Sequence, residues 1–415
     1  MPSFSPGDPR FTTGFFEVQL ICRGSMNTFR TLVERFFPPH RPLPAGVYTY
    51  TAPPDAEFPY RLHLRIEPDG RGVLILNGST VIHLNQTAAE YTYHLIHNTP
   101  PEQVAVQVAK RYNIQETQAL ADYQNLVDRL RALIEVPDLD PVTYLDFERE
   151  EPYSGAISAP YRLDCALTYR LPDSGYQQYV PVDRVKDELP HTEWQVILQK
   201  AWDAGIPHVV FTGGEPTLRP DLPDLVGFAS KLGMVTGVIT NGLRFAERDY
   251  LHRILQAGLD HMMLILDPVD EASWEALRDC LAEDLAVAVH LTLTSRDESR
   301  LSSILDRLAS MGVQKVSLSA GSRDLFDLLP TARQAIAERG LTLVWDLPVP
   351  YSRFNPVSLE LAQTNGEIPH GAGKAWLYVE PDGDVLLSQG VPQILGNLLR
   401  DPWETIWKNV RQREE

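Results

Sequence analysis

The sequence predicts an α/β protein: a partial (β/α) barrel of seven strands, preceded by a small α+β domain of winged-helix-like build and followed by a short β-containing extension. Three observations carry this. From Tyr161 onward, near-continuous apolar runs of strand length alternate with amphipathic helices, the pattern of a parallel sheet wound through right-handed βα units. Between Tyr60 and Asn85 apolar and polar residues alternate, and after Asn85 the apolar spacing lengthens to three and four, so a β-meander gives way to helices. The chain has 415 residues, too many for one ordinary core, and domain-size priors ask for roughly two or three units.

Taken in order, residues 1–60 read as an N-terminal helix and a connector. The helix is NTFRTLVERFF after Met26, and the first 25 residues read as a loosely ordered extension. The stretches FFPPHRPLPAGVY and TAPPDAEFP are proline-rich, which favours extended linker over helix. Residues 61–136 form the small domain: YRLHLRIEPDG and RGVLILNGSTVIHLN are strands punctuated by the turn dipeptides Asp69-Gly70 and Asn77-Gly78, followed by three helices. A proline- and acid-rich linker covers 137–160. Residues 161–350 carry the barrel, from YRLDCALTYR through HVVFTGGEP, MVTGVITNG, HMMLILDP, LAVAVHLTLT and VQKVSLSA to LTLVWDLPVP, and 351–415 the extension.

Composition narrows the partners. With 55 acidic against 37 basic residues and a net charge of -18, the surface lacks the Lys/Arg excess that a phosphate backbone or an anionic membrane demands. The apolar stretch FTTGFFEVQLICRGSM is broken by Glu17 and lacks a basic start, so it is not read as a signal peptide. No window approaches a spanning helix, and a soluble, cytoplasmic protein is expected. The three cysteines, Cys22, Cys165 and Cys280, have no metal or redox spacing.

In a (β/α) barrel, function gathers at the C-terminal strand ends. These ends carry Tyr169 and Arg170, Gly213 to Pro216, Thr240 and Asn241, Asp267, Thr292 and Thr294, Ser319, and Asp346. Gly213-Gly214-Glu215-Pro216 is the most informative, because two glycines allow close backbone approach and a fixed carboxylate can hold an ammonium group.

TGGEPTLRPDLPDLV after one strand, ITNG ending the next and LTYR before them resemble the radical S-adenosylmethionine superfamily over about 160–350. The resemblance implies a partial TIM-like barrel of that type. It also implies that Gly213, Gly214, Glu215 and Pro216, with Thr240 and Asn241 beside them, hold the methionine end of the cofactor. The same family requires a cubane cluster on CxxxCxxC directly after LTYR, and those positions here are Leu171, Gly175 and Gln178. None is a thiolate, so no iron–sulfur cluster is expected and radical initiation is expected to be absent. The loop LPDSGYQQYVPV is expected to fill the vacated volume through Tyr176 or Tyr179.

VIHLNQTAAEYTYHLI and its surroundings, Leu62 to Ile134, resemble the PqqD-like peptide-recognition domain, in which a leader peptide adds as a strand. The edge around Val73 to Leu84 is expected to carry it. GKAWLYVEPDGDVLLSQGVPQILGNLLRDPWETIW resembles the SPASM extension, with Leu387 and Ser388 where a cysteine belongs. A hairpin turning at Asp382-Gly383 is expected there, with Asp401 capping the last helix and Pro402 opening it. His94 and His97, and the strand histidines His208, His261 and His290, read as structural. The resulting expectation is a pseudoenzyme scaffold that binds a precursor peptide or a partner maturase. The alternative is an S-adenosylmethionine-binding, non-radical enzyme or sensor using Glu215 and Asn241, with Asp267 or Asp346 as acid/base.

Overall fold

The computed structural model describes residues 43–136, 139, 157–172, 179–181, 184–185, 187–344, 347–356 and 368–413, apart from 54, 79, 353 and 392, together with the backbone of 16–20 and 148–149. Gly175, Gln178, Tyr176, Asp346, Cys22 and the helix expected after Met26 lie outside the described residues. Two compact units emerge, one over Phe15–Ser158 and one over Ala159–Glu415.

Among the described residues the first unit is a six-stranded sheet with three helices. Its strands are β1 (Phe16–Leu20), β2 (Gly46–Thr51), β3 (Arg61–Ile66), β4 (Gly72–Leu76), β5 (Thr80–Leu84) and β6 (Glu148–Arg149), in the order β2-β3-β4-β5-β1-β6. Gly70 at φ 83° turns β3 into β4, and Asn77 and Gly78, at φ 51° and 70°, lie in the three-residue loop that joins β4 to β5 beyond the Leu76↔Thr80 pair, left-handed positions that asparagine and glycine adopt most readily. Helices α1 (Gln86–Ile96), α2 (Pro101–Tyr112) and α3 (Glu116–Glu135) follow, with the Asn85 side chain accepting from Ala88 N to cap α1. Leu62, Leu64, Leu74, Ile82 and Leu84 meet Ala88, Tyr91, Val104, Val108, Leu126 and Leu130 in one core.

Three sequence expectations need correction here. The proline-rich connector contains β2, which pairs with β3 over six residues from Gly46↔Ile66 to Thr51↔Arg61. The first 25 residues contain β1, paired in parallel with all of β5. Consequently the segment from Val73 to Leu84 is not an edge: β4 lies between β3 and β5, and β1 covers the far side of β5.

The second unit opens on seven parallel strands: β7 (Arg162–Thr168), β8 (His208–Gly213), β9 (Val235–Thr240), β10 (His261–Ile265), β11 (Ala286–Leu293), β12 (Lys315–Ala320) and β13 (Thr342–Leu343), paired in sequence order. Every residue of β7, β8 and β9 is buried, as strands covered on both faces must be. Among the described residues six helices alternate with them: α4 (His191–Asp203), α5 (Leu222–Leu232), α6 (Arg248–Gln256), α7 (Glu271–Leu281), α8 (Glu298–Ser310) and α9 (Leu329–Glu338). This is the α/β partial barrel expected.

Past β13 the chain returns to the other edge of the sheet. β14 (Trp376–Val379) pairs in parallel with β7 and antiparallel with β15 (Asp384–Leu386), which pairs with β16 (Gly396–Asn397). Gly383 at φ 85° makes the hairpin turn. The last helix, α10 (Trp403–Arg411), has Pro402 rather than Asp401 at its N-cap, and no side-chain cap bond. The Asp401 carboxylate instead accepts from Asn397 N at 2.8 Å, holding β16.

Candidate functional site

The structure brings all six expected cofactor residues together at the C-terminal ends of β8 and β9. Gly213 closes β8 at φ 123°, and a Cβ there would run into the Thr168 carbonyl oxygen of β7. A Cβ on Gly214 would meet the carbonyl oxygen of Arg170. Gly214 N donates to Thr168 O at 2.8 Å, Glu215 N to Arg170 O at 2.9 Å, and Tyr351 N to Gly213 O at 3.1 Å. Both glycines are thus needed by the close approach of β7.

Glu215 is 3% exposed. Its Oε1 accepts from Thr217 N at 3.0 Å, Thr217 Oγ1 at 2.6 Å and Thr240 Oγ1 at 2.8 Å, and its Oε2 accepts from Asn241 N at 2.8 Å. A carboxylate offers about four lone-pair sites, and four internal donors already face this one. Burial pushes its pKa up, and the bonds from Thr217, Asn241 and Thr240 pull against that shift. Thr240 Oγ1 also accepts from Gly242 N at 3.1 Å, and Asn241 Oδ1 from Leu243 N at 3.0 Å. Pro216 opens the short 3-10 turn Pro216–Leu218. Among the other strand-end residues, Asp267 receives Val269 N at 3.1 Å, shaping its own loop.

Arg219, hidden in plain view within TLRPDL, fixes this turn to the sheet. It is 6% exposed, donates from Nη1 to Leu167 O at 3.2 Å and Leu189 O at 2.9 Å, and forks onto Asp221 at 3.0 and 2.7 Å. A bidentate arginine of this kind is a geometric clamp. It holds Asp221 below the usual carboxylate range against the opposing effect of burial.

Beside the GGEP turn, the end of β7 is closed by side chains. Ala166, Tyr169, Val180, Tyr351, Tyr378 and Leu386 form a buried cluster, with Leu171 and Val185 packed on it. Tyr169 and Tyr351 meet edge to face at 5.6 Å. The Tyr169 hydroxyl donates to Glu380 Oε1 at 2.9 Å, and Arg184 Nη2 lies 2.6 Å from the same oxygen. Burial raises the Glu380 pKa despite Arg184. Glu188 accepts from Tyr169 N at 3.1 Å and from the Thr168 hydroxyl. Of the two tyrosines expected to plug this volume, Tyr176 lies outside the described residues and Tyr179 is half-buried, while Tyr169, Val180 and Leu171 pack at the end of β7. Glu380, Arg184 and Glu188 gave no sequence signal, since nothing local ties Glu380 to a tyrosine 211 positions earlier.

The histidines are absorbed by the fold. His208 and His261, the first residues of β8 and β10, face each other at 2.6 Å between Nε2 atoms. His94 contacts Thr99 Oγ1 at 3.2 Å, and His97 contacts Tyr93 O at 2.7 Å. Among the described residues no group of three or more His, Cys, Asp or Glu could hold a metal ion. His290, fully buried on β11, bridges Ser317 Oγ at 3.0 Å and Ser319 Oγ at 2.9 Å. Burial lowers its pKa to about 3 from 6.5. A histidine held neutral stabilises the fold above its unfolded pKa, and this stability is lost as pH falls from 6.5 toward 3. Urea unfolding should therefore show about 2 kcal/mol less stability at pH 5 than at pH 7 from this residue, and His290→Asn should flatten that slope. An unchanged slope in the variant would refute the assignment.

A parallel partial barrel with a GGEP turn at its mouth, braced by the threonine and asparagine of the next strand end, defines a specific class of α/β protein. A family model described as "Radical SAM superfamily" matches residues 172–291. A PqqA peptide cyclase of Streptomyces rochei is 30% identical over 282 residues, covering 61% of this chain and 76% of that protein. The PqqA peptide cyclase of Xanthomonas axonopodis pv. citri is 26% identical over 261 residues, covering 54% and 67%. Among solved structures, Streptococcus suis SuiB bound to precursor peptide SuiA superposes with a TM-score of 0.54 at 14% identity, covering 83% of this chain and 86% of that one. SuiB bound to S-adenosylmethionine gives 0.50 at 15% identity over the same shares. The chain belongs to the radical SAM superfamily. No described helix is long and apolar enough to cross a membrane.

Proposed function

We propose that the chain is a cluster-less radical SAM pseudoenzyme that binds a peptide, or a partner maturase, as a scaffold in the modification of a ribosomally made peptide. The observation that carries this reading is the end of β7. Superfamily chemistry needs three thiolates directly after that strand, and the sequence supplies Leu171, Gly175 and Gln178. Soft iron sites are held by deprotonated sulfur. Leu171 packs on the aromatic cluster, and the carboxylates of Glu188 and Glu380 are engaged by Tyr169, Thr168 and Arg184. These residues do not fit a cubane cluster.

The peptide side of the reading draws on the PqqD-like texture of 61–136, the SPASM-like extension of 351–415 and the relatives named for peptide cyclisation. Four internal donors on Glu215 explain a retained GGEP turn without any ligand. This favours the scaffold over an S-adenosylmethionine-binding enzyme or sensor.

The test is anaerobic iron–sulfide reconstitution with iron counting, followed by calorimetric titration of S-adenosylmethionine and then of a precursor peptide, alone and with a sister maturase. Iron at the level of a cluster-free control and saturable peptide or maturase binding are expected. Stoichiometric iron, or cofactor cleavage on reduction, would overturn the pseudoenzyme assignment. Absence of both peptide and maturase binding would overturn the scaffold.

A further inference from the structure

We propose that β1 is an exchangeable occupant of the strand site on β5: it fills in cis the edge with which an extended peptide would pair, and a peptide partner gains that edge by displacing it. The partner's identity rests on the peptide-binding reading above. The exchange itself rests on the sheet.

Strands β2 to β5 form an uninterrupted antiparallel meander, each pairing with its neighbour in sequence. Together with α1, α2 and α3 they enclose a core that includes Leu64, Leu74, Ile82 and Leu84. The pairing within the meander does not run through β1. By contrast β1 is joined to β5 in parallel over five residues, from Phe16↔Thr80 to Leu20↔Leu84. On its other side it pairs, among the described residues, with Arg149 and Glu148. Parallel pairing is slightly weaker per residue, and a strand held by one five-residue parallel ladder and a two-residue antiparallel one is of the kind that opens locally while the rest of a domain stays folded.

Chain length allows the exchange. Leu20 and Gly46 bracket residues 21–45, a length that reaches up to about 80 Å when extended. Crossing the four strand spacings from β1 to β2 needs only about 19 Å. β1 can leave while β2 stays paired.

Sequence indicates what replaces it. FEVQL alternates apolar Phe16, Val18 and Leu20 with polar Glu17 and Gln19, and the register sets Val18 opposite Ile82 and Leu20 opposite Leu84. The matching partner is an extended peptide with an apolar residue at every second position over about five residues, the strand-addition mode. Because β1 shares the chain, it competes at an effective concentration on the order of millimolar. A partner whose only contacts are those of FEVQL does not displace it at micromolar concentration, so the device selects partners with further contacts.

The experiment uses the full chain, a Val18→Pro/Gln19→Pro variant and a synthetic peptide spanning Gly14 to Ile21. Two prolines remove backbone donors from a strand flanked on both sides. Hydrogen exchange at Thr80–Leu84 is expected to quicken at least about tenfold in the variant, and micromolar synthetic peptide is expected to restore protection there but to change nothing in the unaltered chain. Unchanged protection in the variant, or exposed β5 amides that the peptide fails to cover, would overturn the proposal. Should the variant unfold, the unaltered chain decides: amides of Phe16–Leu20 must exchange faster than those of Gly72–Leu76, and equal protection overturns it. No precursor or maturase enters this test, so a chain that passes it yet binds neither loses the functional reading alone.

Discussion

Glu215→Gln is expected to destabilise the barrel by about 3 kcal/mol, from the 1–3 kcal/mol typical of each buried polar group left unsatisfied. The carboxylate receives Thr217 N, Thr217 Oγ1 and Thr240 Oγ1 on one oxygen and Asn241 N on the other. An amide keeps one acceptor oxygen and turns the other into a donor. If the oxygen stays with the two threonines, the new NH2 faces Asn241 N at a site where water has almost no access; if it flips, three donors confront it instead. Either way the joint between the GGEP turn and the end of β9 loses a bond and gains a clash of donors. For a barrel of this size the melting temperature should fall by roughly 6–12 °C, readable by calorimetry. An undiminished melting temperature would mean that Glu215 does not hold the turn, and would restore it as a free ligand for an ammonium group.

That result also bears on what a motif can tell. GGEP was legible because its residues are contiguous, and its position at a strand end was legible because β7, β8 and β9 are unbroken apolar runs that only a doubly covered parallel sheet accommodates. Its local purpose was not legible. The Thr168 and Arg170 carbonyls that require Gly213 and Gly214 lie on a different strand, and the donors that fill Glu215 come from Thr217, Thr240 and Asn241 after the turn has closed. The small domain shows the same limit. β2 was hidden by flanking prolines such as Pro44 and Pro53, although GVYTYT itself alternates. β1 was hidden because each of its partners on β5 lies 64 positions further on, and a lone five-residue parallel strand has no turn to announce it.

Glu380→Ala is expected to cost about 3 kcal/mol or more, near the low end of the range for breaking a buried ion pair because Arg184 keeps some access to solvent. Glu380 is 2% exposed, and the Tyr169 hydroxyl and the Arg184 guanidinium converge on its Oε1, at 2.9 and 2.6 Å. Burial opposes the charge on Arg184, and Glu380, with Tyr351 and Tyr169, more than offsets it, raising the arginine pKa. Removing the carboxylate therefore takes the counter-charge from Arg184 and an acceptor from the Tyr169 phenol at the end of β7, beside Val180, Tyr351 and Tyr378. A Glu380→Leu/Arg184→Met double variant should recover most of the loss, because a matched apolar pair avoids the desolvation that the ion pair must repay. The cycle is measured by urea unfolding of Glu380→Leu, Arg184→Met and the double variant, with Glu380→Ala read separately for the loss. Additive losses would show that the two residues do not act as a pair. A double variant close to the parent would show that this corner of the barrel is held by packing between β7 and the β14–β15 hairpin, with charge needed only so long as one partner keeps it.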